Sequence, residues 1–250
     1  MSPALLLPQW AAPPGVRAAC TLRGGGTSAA PWDSLNLGSH VGDDPAAVAE
    51  NRRRVAEALA LPAAPFWLEQ VHGTHVADAD ALARAVPGAA AVPADAAVTR
   101  ERGRVLAILV ADCLPVLFAS ADGSVLGAAH AGWRGLAAGV LEATLAAMRV
   151  PAASVHAWLG PAIGTGQFEV GDEVRAAFLA QDAGADAAFH ANARGRWQCD
   201  LLLLARRRLA AAGVRQLSGA QLCTASNPRE CFSFRRDGRT GRMAALLWRD

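Results

Sequence analysis

The chain has 250 residues, of which 52% are hydrophobic and 18% charged, and its formal net charge is +2. That length can bury a sizeable core in one large domain or two small ones, and the apolar, lightly charged composition excludes a disordered chain. The positive charge is scattered except at Arg52-Arg53-Arg54, Arg206-Arg207-Arg208 and Arg235-Arg236, too little for the broad basic surface of a nucleic-acid binder.

The opening MSPALLLPQWAAPP lacks a basic region and a long apolar core, so no secretion signal is expected. The longest apolar run, 105–119, is broken by Asp112 and is too short for a membrane helix. Five cysteines without a close Cys-x-x-Cys pair fit a reduced cytoplasm.

Residues 15–23 read as a first strand, followed by the irregular GGGTSAAPWDSLNLGSH, which can offer backbone donors to a ligand or form a mobile loop. A helix starts at Asp44, which can cap it, with Pro45 at its first position. Val48, Val55 and Leu59 give it an apolar stripe through residue 60, and Pro62 and Pro65 end it. Arg52-Arg53-Arg54 lies in this helix and reads as a solvated face. Phe66-Trp67-Leu68 reads as a strand leading into Gln70-Val71-His72-Gly73, and a helix is expected over 79–86.

Val105 to Ala111 is a continuous apolar strand, closely followed by Asp112-Cys113. Pro115 is expected to interrupt the ladder before Val116 to Ala119 resume it. Asp122-Gly123 marks a turn, and the strand from Val125 to Ala129 delivers His130. Gly132-Trp133-Arg134-Gly135 leads into a helix carrying Leu136, Val140, Leu141, Thr144, Leu145 and Met148 at helical spacing. Val155 to Leu159 is a strand ending in Gly160-Pro161-Ala162-Ile163-Gly164. Helices are expected over 172–181 and 200–212, the second capped by Asp200 and stopped by Gly213, and the second arginine triplet reads as its solvated face. A short strand over 214–217 and a closing strand over 243–248 complete an α/β chain of mixed, helix-covered sheets. Gly24-Gly25-Gly26 precedes no good helix, and no P-loop occurs.

Three segments place a strong metal ligand beside a strand end and small residues: His72, Cys113 and His130. Two imidazoles and a thiolate suit zinc and leave one coordination position open, the pattern of a catalytic site. Copper accepts the same donors. The spacing alone is weak, but Cys113 and His130 end adjacent strands and can face one point, with Asp112 placed to support a ligand or hold a substrate group. A buried free cysteine with two hydrogen-bonded histidines remains the alternative. So does a Cys113 nucleophile with His130 as its base, oriented by Asp112 or another carboxylate. Arg134, at a helix start beside two glycines, is the expected phosphate contact, and His75 a candidate general acid or substrate contact. Trp133 can stack on a base or pack.

The stretches TLRGGGTSAAPWDSLNLGSHVGDDPAAVAENR, LEQVHGTHV, ADCLPVLF, GAAHAGWRGLAAGVLEATLAAM, GPAIGTGQFEVGDEV and CTASNPRECFSFRRDGRTGRMAALLW, in that order, resemble the laccase-domain family. That family is also called multicopper polyphenol oxidoreductases and peptidoglycan editing factors. The resemblance implies a laccase-like catalytic domain over 15–250 behind an N-terminal extension, 1–14, with layered mixed sheets packed together and flanked by helices. It puts the family's metal ligands on His72, Cys113 and His130. The chain has six histidines and no His-x-His pair, so a multicopper cluster is not expected; one zinc is.

The resemblance implies a zinc-dependent purine nucleoside phosphorylase acting on adenosine, inosine, guanosine and methylthioadenosine, with adenosine deaminase activity through water attack at C6. His72, Cys113, His130, His75 and Asp112 form the expected catalytic group, Arg134 the phosphate contact, and Asn36, Gln70, Trp133 and Gly164 the substrate pocket. Two alternatives stay open: an amidase removing L-serine from wrongly built muramyl precursors, and a non-catalytic, metal-stabilised nucleoside-binding protein. The expected partners are small nucleosides and phosphate, with no nucleic acid or membrane, and the chain is expected to be a monomer or small homo-oligomer.

Overall fold

The computed structural model describes residues 2–85, 91–219 and 222–250. Two sheets lie face to face with helices on both outer sides. The first, antiparallel throughout, has the order Leu5–Leu6, Val16–Thr21, Met243–Arg249, Leu106–Val110. The second is mixed, in the order Gln216–Gly219, Val155–Leu159, Leu114–Ser120, Leu126–Ala131, Ala96–Thr99, Val76–Asp78, with the two outermost pairings parallel.

Side chains alternate across a strand, and that period sorts the core. Leu106, Ile108, Val110, Met243, Ala245 and Leu247 meet Leu117, Ala119, Leu126, Ala128 and Trp158 between the sheets. The intervening Ala107, Leu109, Ala244 and Leu246 pack outward on Leu35, Leu37 and Val55, the last from helix Pro45–Ala58. On the far side Val116, Phe118, Ala129 and Ala131 pack on Leu136, Leu141, Leu145, Met148 and Leu204. Each such Leu or Phe, fully buried, contributes about 1.5–3 kcal/mol. The result is a layered α/β domain with mixed sheets, as expected, and no helix among the described residues is long and apolar enough to cross a membrane.

Local signals set most element ends. Asp44 Oδ1 accepts from Ala46 N at 2.9 Å at the start of helix Pro45–Ala58, and Asp200 Oδ1 accepts from Leu203 N at 2.8 Å at the start of Leu201–Ala211. The helix expected over 79–86 runs Ala79–Ala85, and its last expected residue lies outside the described residues.

Other features differ. The helix expected from Leu136 to Met148 is two, Trp133–Ala138 and Val140–Met148, separated by Gly139 at φ 102°. A left-handed residue closes the first segment, and glycine adopts it without steric cost. Pro115 does not interrupt the ladder; strand Leu114–Ser120 passes through it, opposite His130. Proline is tolerated near a strand's start, and its carbonyl still accepts from Gly160 N at 2.9 Å. Leu5–Leu6, before the domain start expected at residue 15, adds an edge strand beside Cys20 and Thr21.

The irregular 24–40 segment is tied down. Asn51 Nδ2 donates to Ser28 Oγ, Ser34 O and Asn36 O, and its Oδ1 accepts from Thr27 N. Arg53 and Arg54 pair with Glu50 on the helix surface, but Arg52 turns inward, donating to Leu37 O and stacking on Trp67 at 4.0 Å. The solvated-face expectation fails at Arg52 because its long stem reaches an apolar ring and a carbonyl together.

Candidate metal centre

Three chain passages converge at the rim of the mixed sheet. Cys113 sits in the bend between strands Leu106–Val110 and Leu114–Ser120, beside Asp112 at φ 90°. His130 lies within strand Leu126–Ala131, one residue from the partner of Leu114. His72, at φ 61°, occupies the loop after Leu68–Glu69.

The fastening that brings this loop to the sheet is Asp95, fully buried. Its Oδ1 accepts from His72 N at 2.9 Å and contacts His130 Nδ1 at 2.8 Å. Its Oδ2 accepts from Val71 N at 3.2 Å and Gly73 N at 2.6 Å. A carboxylate at Nδ1 requires the proton there, which leaves Nε2 of His130 as the nitrogen free to ligate. Burial opposes ionisation of Asp95, but the bonds from His130 and from the Gly73 and His72 amides hold its carboxyl below the usual range.

One ligand atom from each of His72, Cys113 and His130 lies within 4.8 Å of the others. Cys113 Sγ and His72 Nε2 are 3.9 Å apart. Tetrahedral zinc bonds would set such a pair about 3.6 Å apart, so a few tenths of an ångström separate this arrangement from ligation. The imidazoles meet edge to face, centroids 4.9 Å apart. His130 is buried, Cys113 half-buried and His72 exposed, so the cluster opens to solvent on one side. Gly132 keeps the basin clear: a Cβ there would stand 3.0 Å from Cys113 Sγ and 3.1 Å from His72 Cδ2. Gly135 lets the following helix close on the loop, since its Cβ would stand 2.8 Å from Gly73 O. Donor chemistry, spacing and this cleared space all fit a single bound metal ion.

Charge in the bare cluster is polarised. Burial would raise the Cys113 thiol, but His130 and then His72 bring it down to about 6. Burial would lower His130, but Cys113 and Asp95 bring it up to about 9. The raised His130 adds stability in full below its ordinary 6.5 and loses it as pH rises through about 9. The lowered Cys113 adds stability in full above its ordinary 9.0 and loses it as pH falls through about 6. Each group holds the other in its charged form, so near neutral pH the shifts favour thiolate and imidazolium in the metal-free pair. Ligation there must displace the His130 proton and not one from sulfur. Calorimetric titration of zinc at pH near 7.5, in buffers of different ionisation enthalpy, should therefore show about one proton released from this pair per ion. Release near two would contradict the thiolate assignment. Asp95, His130 and Cys113 in a row also have the order of a carboxylate–imidazole–thiol nucleophile system, in which His72 would have no required part.

The remaining residues expected from the sequence fall in several places. Asp112 is buried and engaged: its carboxylate accepts from Thr224 Oγ1 at 2.6 Å, Ser233 Oγ at 3.0 Å and Arg235 N at 2.6 Å, tying the C-terminal segment beside Cys113. Asn36 is fully buried, its amide occupied by Gly38, Asp43 and Arg242. Gln70 bonds both N–H and C=O of Leu109 at 2.8 Å, fixing the strand that leads to Cys113. Both amides are thus spent on the fold's own groups. Trp133 is half-buried with the exposed Arg134 guanidinium 4.5 Å above its ring. His75 is exposed, outside the three-ligand cluster, its carbonyl accepting from Asp95 N and Ala96 N. Gly164 donates to Cys223 Sγ at 3.1 Å. Asp95 has no motif around it; its only local signal is a lone acid between alanines at the head of a buried strand.

The model of the family described as multi-copper polyphenol oxidoreductase laccase matches residues 17–250. A purine nucleoside phosphorylase of Xylella fastidiosa (strain 9a5c) is 51% identical over 250 residues, covering 98% of this chain and 96% of the relative. Purine nucleoside phosphorylase YfiH of Escherichia coli (strain K12) is 49% identical over 244 residues, 98% of each chain. The crystal structure of Neisseria meningitidis protein NMB0706 matches with a TM-score of 0.92 at 45% identity, over 98% of this chain and 99% of that one. YlmD from Geobacillus stearothermophilus matches with a TM-score of 0.84 at 33% identity, over 97% and 98%. The chain belongs to the multi-copper polyphenol oxidoreductase laccase family.

Proposed function

We propose that this chain is a zinc-dependent purine nucleoside phosphorylase that also deaminates adenosine, working on small molecules in the cytoplasm. The observation that carries the reading is an open-sided two-histidine, one-cysteine cluster in a chain 51% identical, over 98% of its length, to a relative named purine nucleoside phosphorylase. Zinc suits the donor set and the tetrahedral spacing. A copper cluster would need more imidazoles than six histidines, only two of them in the site, can supply.

His72, Cys113 and His130 would hold the ion, and a bound zinc would supply Lewis acidity and acidify water near neutral pH. The chain's own residues do the rest. Asp95 fixes the His130 tautomer, and Gly132 leaves room at the open face for a substrate atom. Trp133 offers a half-buried ring edge to a flat base. His75, exposed on the same loop as His72, can carry a proton to a departing purine nitrogen.

Product analysis with adenosine on protein of measured metal content tests the reading. Adenine formed only with phosphate is the expected result, with a smaller phosphate-independent yield of inosine. Neither product, together with release of L-serine from a muramyl precursor, would replace it with the amidase reading. Tight nucleoside binding with no turnover would replace it with a binding protein.

A further inference from the structure

Beside the metal centre lies a cavity of about 960 Å³ whose lining includes Ser39, His40, Arg52, Trp67 and Gln70. The backbone of 37–40 that forms part of its wall is bracketed by two arginines. Arg52 donates through Nε and Nη2 to Leu37 O at 3.0 and 2.8 Å, which leaves Nη1 uncommitted. Arg242 crosses the next residue: a Cβ on Gly38 would stand 2.8 Å from Arg242 Cγ, and Arg242 N and Gly38 N share Asn36 Oδ1. The Arg242 guanidinium bonds only carbonyls, Thr240 O and Gly241 O, both through Nη1. Its Nε and Nη2 take no partner among the described residues.

Neither arginine has a carboxylate partner among the described residues, whereas their neighbours Arg53 and Arg54 do. Burial lowers the pKa of both guanidinium groups. His40, two residues past Gly38, is lowered by burial, then by Arg242 and Arg52, so all three groups share one field. Gln70 and Val71, the two residues before the ligand His72, line the same cavity and set it next to the metal ligands. The one acid in the cavity lining is the exposed Glu69. Arg52 and His40 thus stand in a concave wall, Arg242 crosses the same 37–40 backbone, and both guanidinium groups keep N–H groups without an acceptor among the described residues, a planar fork that matches a tetrahedral oxyanion.

We propose that Arg242, Arg52 and His40 form an oxyanion subsite beside the metal centre and that inorganic phosphate is its ligand. The choice of phosphate over another oxyanion rests on the phosphorolytic reading above. Arg134, the phosphate contact expected from sequence, is exposed, stacks on Trp133 and begins a helix of six residues. The subsite instead lies where two part-buried arginines flank one stretch of backbone with N–H groups uncommitted.

Calorimetric titration of the metal-loaded protein with inorganic phosphate, without nucleoside, tests this. Arg52→Gln and Arg242→Gln should each weaken binding about tenfold or more, as loss of a charge-assisted contact does. Arg53→Gln, from the same triplet, should leave it unchanged. Metal content of one ion per chain checks folding, and Arg242→Lys, which keeps the charge, should recover part of the loss if Arg242→Gln does not fold. Absence of saturable binding to the parent protein, undiminished binding in both glutamine variants, or loss confined to Arg134→Ala would each overturn the subsite. Phosphate binding that depends on Arg52 and Arg242 without any phosphorolysis would retain the subsite and remove the phosphorylase reading. Phosphorolysis whose phosphate saturation ignores both residues would do the reverse.

Discussion

Cys113→Ala should empty the metal centre and reduce nucleoside turnover by about a thousandfold or more, the several kcal/mol of transition-state stabilisation that a Lewis-acid site supplies. The thiolate is the only anionic donor among the three, and the two imidazoles left behind form a weak pair. Folding should survive, because Cys113 is only half-buried and the strands on either side of it are held by their own ladders. Atomic spectroscopy on the purified variant gives the metal content, and the far-ultraviolet dichroism checks the fold. His72→Ala separates the two chemistries available to the cluster. A metal site needs His72, and activity should fall with metal content. A thiol nucleophile backed by His130 and Asp95 does not need it. Turnover retained by a His72→Ala protein free of metal would establish thiol chemistry and end the metal reading.

Asp95→Asn should weaken metal binding about 10- to 100-fold and destabilise the fold by about 3 kcal/mol or more. The reason is geometric. Each oxygen of Asp95 faces two donors: His72 N and His130 Nδ1 at Oδ1, Val71 N and Gly73 N at Oδ2. An asparagine in either orientation turns its amide nitrogen toward one of these pairs and sets donor against donor. On the Oδ1 side the His130 tautomer is lost; on the Oδ2 side the loop carrying His72 is freed. Competition with a chelator of known affinity measures the first effect, and urea unfolding of metal-free protein the second. Metal affinity within twofold of the parent would show that Asp95 is structural only.

The contrast between Cys113 and Asp95 shows what the sequence can carry. Cys113 and His130 were legible because a continuous apolar run, an Asp-Gly turn and a second run describe adjacent strands, and residues at their ends must meet. The layered sheets were legible for the same reason. Asp95 was not, because its role depends on contacts with a loop more than twenty residues earlier and a histidine 35 residues later. Arg52 was hidden by composition: three consecutive arginines look alike, and only the tertiary position of Trp67 and Leu37 distinguishes the first. Asn36 and Gln70 were expected in the substrate pocket, and their amides hold backbone. Gly139 sat in plain view, since a glycine inside a helical repeat can end one helix and begin another.

That glycine has a consequence for how the two segments are aimed. Trp133–Ala138 closes over the ligand loop through Gly135, whereas Val140–Met148 is clamped to the mixed sheet, its Met148 sulfur resting against Gly127. An unbroken helix would transmit every adjustment of the sheet packing to the ligands as a rigid lever, where small angular errors grow with length. With a left-handed joint between them, the second segment seats on the sheet along its own axis and the first is aimed separately at the ligand loop. Leu136 and Leu141 still share one core, so the joint lets the two segments take different axes on the same sheet.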